Sequence, residues 1–85
     1  MRVQTAHRVH IRFAVAGPAP KFLGVDAWHR TVGREEGDFA LNNWTWPANE
    51  HGLALQELSR LRNAYAEQYV FILVEVCVTE NILSV

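Results

Sequence analysis

One cysteine, Cys77, is all the chain has, so no intramolecular disulfide can staple it, and the natural compartment for such a chain is a reducing one. There is no membrane-length apolar run: the longest, Tyr69 to Val74, is far short of a spanning helix. Arg2, Arg8 and Arg12 interrupt the first 16 residues, which argues against a signal peptide and for a cytoplasmic location. Internal repeats, low-complexity tracts and linkers are missing too. At 85 residues the expectation is one domain, residues 1–85, with a single core.

The motifs of catalysis are equally scarce. Ser59 falls mid-helix and Ser84 at the terminus, so neither sits in a nucleophile turn. Gly33 and Gly37 flank Glu35 and Glu36, which would repel a phosphate. His7 and His10 alternate to opposite faces of a strand and cannot share an ion. The spacings of Asp26 with His29 and of Glu50 with His51 are no metal signature. Cys77 lies in an apolar strand and reads as a structural cysteine. Glu35, Glu36 and Asp38 read as a solvated turn. The expectation is therefore a protein that is not an enzyme and that carries no cofactor and no metal.

Alternation and apolar surface are what the chain has. Apolar residues make up 49% of it and charged residues 20%, a globular composition. Tyr69 to Thr79 is rich in β-branched residues and predicts the organising strand, buried on much of both faces. Val70, Ile72, Val74, Val76 and Val78 share one face, expected beneath a helix. The other face is Phe71, Leu73, Glu75, Cys77 and Thr79. Val3 to Val15 alternates with period two, Val9, Ile11 and Phe13 facing inward and Arg2, Arg8, His10 and Arg12 facing water. Gly17-Pro18-Ala19-Pro20 ends it. Phe22 to Val32 reads as a second strand and Phe39 to Trp46 as a third, a hairpin across the polar turn Gly33 to Asp38, stopped by Pro47. Asn49 reads as a helix cap, with Glu50 in the first turn. Leu53 to Gln68 follows as an amphipathic helix, apolar on Ala54, Leu55, Leu58, Leu61, Ala64 and Tyr65, with Glu57 and Arg60 one turn apart on the wet side.

The expected fold is thus α+β in two layers: a three- to four-stranded, mostly antiparallel sheet in the chain order β-β-β-α-β, one amphipathic helix covering one face. The first and last strands should be neighbours, with Arg8 and Arg12 near Glu75.

Charge is lopsided within a net of −1. Six of the eight Lys and Arg residues precede residue 35, and eight of the nine carboxylates follow residue 34. Either the halves offset one another in the fold or a basic face meets an acidic partner. An incompletely covered sheet face with Trp44, Trp46 and Phe71 beside Arg8 and Arg12 would be a partner-binding surface, since aromatic and Arg side chains dominate interface energetics. The alternative for those aromatics is that they fill the core. The function expected is a small protein-binding module that inhibits or adapts a larger protein or protein complex. As a class, phage-encoded inhibitors of host defence complexes are compact chains of this kind. A homodimer is a further form such a surface could take. The competing expectation is single-stranded nucleic-acid binding by Arg8, Arg12 and the tryptophans. The sequence pI near 6.4 weighs against it, because a nucleic-acid footprint usually goes with a basic domain. No membrane partner is expected.

Overall fold

A computed structural model of the chain describes residues 2–32 and 43–83. Two strands of equal length dominate it: β1, Arg2–Val15, and β3, Tyr69–Ile82. They pair antiparallel without a bulge, from Arg2 opposite Ile82 to Val15 opposite Tyr69. Fourteen residues at ~3.3 Å each reach about 46 Å, and the long axis of the molecule is 47 Å. The ribbon therefore runs the length of the protein. A short strand β2, Thr45–Pro47, pairs with β1 over Arg8 to His10, giving a three-stranded sheet in the order β2-β1-β3. Beyond it, Leu23 bridges to Phe13.

Two helices cover one end of one face: α1, Val25–Val32, and α2, His51–Ala64. The α+β class and the antiparallel sheet stand as expected; the element order does not. Phe22 to Val32 is helical at its C-terminal end, not a strand. Val25, Trp28 and Val32 fall on one helical stripe, all within or against the core. Asp26 lies in the first turn of α1 and His29 and Arg30 in the last, the arrangement the helix dipole favours. Of the expected third strand, Thr45 and Trp46 are strand, continued by Pro47, while Asn43 and Trp44 are not; residues 39–42, like the turn Gly33 to Asp38, lie outside the described residues. Ala48–Glu50 forms a 3-10 turn, and α2 starts at His51 behind Glu50, with no side-chain cap, so Asn49 is not the cap of the long helix.

The core is aromatic. Ile11, Phe13, Trp28, Trp44, Leu58, Leu61 and Phe71 form one buried cluster. Trp28 is its hub, with ring centroids 4.9–5.7 Å from Tyr65, Phe13, Tyr69, Phe71 and Trp44. Most of these pairs are edge-to-face, the geometry that ring quadrupoles favour. Trp44 reaches the cluster at a backbone cost: its φ is 59°, a conformation side chains other than Gly rarely adopt. From there its carbonyl accepts the Ile11 N–H at 3.1 Å while the indole turns inward.

Candidate functional site

The pairing register decides which face is open. Along the ribbon, odd-numbered residues of β1 stand opposite odd-numbered residues of β3: Phe13 faces Phe71, Ile11 faces Leu73 and His7 faces Cys77. Directly opposed residues share a face, so the buried side chains Val9, Ile11, Phe13 and Phe71 put the odd face under the helices. The even face is the other side of the sheet. The column Val70, Ile72, Val74, Val76 and Val78, expected beneath a helix, lies there, extended by Ile82. Across from it on β1 stand Ala14, Arg12, His10, Arg8, Ala6 and Arg2. The reason is volume: Phe13 needs a large partner at the helix interface, and Phe71 supplies it where a valine would leave space.

The result is a row of β-branched side chains beside a row that is largely Arg and His. Val70 is 40% exposed, and Ile72, Val74, Val76 and Val78 are half-buried. The aliphatic stems of the opposing arginines are suited to shield their flanks. Arg8 does not pair with Glu75, which lies on the odd face opposite Val9. It reaches along its own face to Glu80 instead, Nη2 to Oε1 at 2.5 Å. At the inner end of this face a cleft of about 500 Å³ opens between the sheet and the start of α1, bordered by His10, Arg12, Asp26, Arg30 and Thr45. Thr45 Oγ1 is buried there with no hydrogen-bond partner among the described residues. His10 has its pKa pushed below the usual histidine value, first by burial and then by the charges of Arg12 and Arg8.

Of the residues singled out from the sequence, Arg8 and Arg12 belong to this surface. The aromatic patch does not form. Trp44 and Phe71 are 2% and 1% exposed, and Trp46, opposite Val9, packs half-buried against the core cluster. What the sequence reading passed over is the β3 column as a surface, together with Arg30 and Thr45. Their signal was parity: once Phe13 opposes Phe71, every even residue of β3 joins the arginine face of β1.

Cys77 is exposed, not a core cysteine, and its Sγ lies 3.3 Å from His7 Nδ1 on the odd face, beyond the helices. Among the described residues no group of three or more His, Cys, Asp or Glu side chains is placed to hold a metal ion, and no helix is long and apolar enough to cross a membrane. Compared with known proteins, the chain matches no family model, no curated protein and no solved structure.

Proposed function

We propose that the protein is a binding module that inhibits or adapts a larger protein, and that its working surface is the even-numbered face of the ribbon. One observation carries this: Ile72, Val74, Val76, Val78 and Ile82 form an apolar row on the face away from α1 and α2, with no helix over it among the described residues. An uncovered apolar sheet face is an aggregation liability unless something binds it. Arg12 and Arg30 border the inner end of the row, so the partner that fits is apolar along a strip and acidic at one end.

Nucleic acid is less well served by the same surface. Trp28 and Trp44 are buried and Trp46 faces the core, so no tryptophan offers a stacking platform on the open face.

The test is capture from a lysate of the source cells by the wild-type chain and by a Val74→Asp, Arg12→Glu variant, each with and without nuclease. The expected result is a stoichiometric protein that survives nuclease and is lost with the variant, whose far-UV spectrum stays native. Retention of the same protein by the variant would reject the even face. Recovery of nucleic acid alone, released by moderate salt, would reject protein binding.

A further inference from the structure

The open face is not the only unsatisfied surface of the ribbon; its backbone edge is another. In β1 the odd-numbered residues turn their backbone groups toward β2: Ile11 N–H donates to Trp44, and Phe13 exchanges bonds with Leu23 at 2.9 and 2.7 Å. In an antiparallel pair the opposed residues then do the same on the far side. Phe71, Leu73, Glu75, Cys77, Thr79 and Asn81 therefore present N–H and C=O groups away from β1, along the outer edge of β3. Arg62 shows that this is so, since its Nη2 donates to the Phe71 carbonyl at 2.9 Å and closes that end. From Leu73 to Asn81 no strand and no hydrogen bond among the described residues meets the edge.

This free edge lacks several of the usual protections, its only charges being Glu75 and Glu80. It contains no proline, no lysine and no bulge, the devices by which edge strands avoid pairing. It is also self-complementary. Its midpoint is Cys77. A second copy laid antiparallel about a two-fold axis through Cys77 pairs Leu73 with Asn81 and Glu75 with Thr79, satisfying the backbone of the whole free segment. On the even face it sets Val76 against Val78 and Ile72 against Ile82. Glu80 comes opposite Val74, with its carboxylate already drawn toward β1 by Arg8. No like charges are opposed. Moving the axis toward Phe71 brings the partner strand into Arg62 and, at residue 75, sets Glu75 against its own copy. Moving it toward Asn81 leaves the Leu73 end unpaired.

We infer that the protein forms a two-fold dimer by antiparallel pairing of β3 with β3 of a second copy, centred on Cys77, giving a continuous six-stranded sheet. The helices of the two copies lie at opposite ends of that sheet, because each set covers the half of its ribbon away from the axis. The two apolar rows meet at the middle of one face. The dimer uses the edge and needs no other protein, so it stands or falls separately from the binding role of the face.

Sedimentation of the purified full-length chain over a concentration series reads it directly. Wild type should sediment as a dimer. Val76 and Val78 face one another across the axis, so V76K/V78K and V76E/V78E should each weaken association by about tenfold or more, with native far-UV spectra. An equimolar mixture of the two variants should recover a dimer. A wild-type chain that stays monomeric overturns the inference, and that is also the result if the edge takes an extended segment of another protein. So does a dimer indifferent to both variants, or a mixture that stays dissociated.

Discussion

The inner and outer halves of the ribbon share two strands and one unbroken register, yet they are held by different forces. From Val9 to Ala14 and at Phe71 the sheet is packed beneath rings and helices, and every buried sheet residue of the ribbon lies in that half. From Arg2 to Arg8 and from Val76 to Ile82 nothing is buried. There, cross-strand contacts worth ~0.2–1 kcal/mol each and the Arg8–Glu80 pair do what the core does elsewhere. Backbone pairing alone makes a marginal ribbon; a packed face makes a stable one. The outer half is thus supported by the inner half and contributes little in return, which leaves it open to binding.

That contrast is most sharply broken by Phe71→Ala. Loss of this side chain from the middle of the core should cost about 3–5 kcal/mol, a large share of the roughly 4–13 kcal/mol expected for a chain this size. A urea midpoint unchanged from wild type would mean that the ring cluster is not the anchor. Amide exchange compares the halves residue by residue. In a chain kept monomeric by V76K/V78K, the amides of Arg12 and Ala14 should exchange at least roughly a hundredfold more slowly than those of Gln4 and Ala6, because the outer half opens without global unfolding. Equal rates would make the ribbon one cooperative unit. Arg8→Ala should lower stability by only about 0.2–1 kcal/mol, measured by the same urea titration, since the ion pair is partly exposed on both sides.

The smallest expected effect is a pH dependence from His10, at the border of the two halves. Its folded-state pKa is depressed by burial and by Arg12 and Arg8, so the unfolded chain takes up the proton more readily. Stability should be full above about pH 6.5 and fall as the pH drops below that value through the lowered folded pKa. His10→Gln should remove that part of the slope in thermal melts across this range. An identical slope in the variant would reject His10 as its source.

Much of this was legible in the residues. The alternation of β1 fixed its wet face, because Arg2, Arg8 and Arg12 share one parity. The stripe Ala54, Leu58 and Leu61 marked α2, and the Glu57–Arg60 ion pair forms on its outer side. β3 was ambiguous for a physical reason: its inner half is apolar on both faces, so parity alone cannot say which face goes down. Only the match of Phe71 to Phe13, a long-range pairing, settles it. α1 misled because Val25 to Val32 satisfies period two as well as 3.6 over so short a span, and the hub role of Trp28 is visible only once the helix is granted. The candidate surface was half legible. Arg8 and Arg12 announced themselves by alternation, whereas Trp44 and Trp46 drew attention as interface residue types when the core needed their rings.

The crowding of aromatic rings at one end has a spectroscopic consequence. All three tryptophans of the chain lie in or against the core cluster, and Trp28 and Trp44 pack with centroids 5.7 Å apart and planes tilted by 33°. Intrinsic fluorescence is therefore a reporter of the inner half alone. Binding along the distal ribbon should leave the emission maximum where it is, and a ligand that shifts it has disturbed the ring cluster itself.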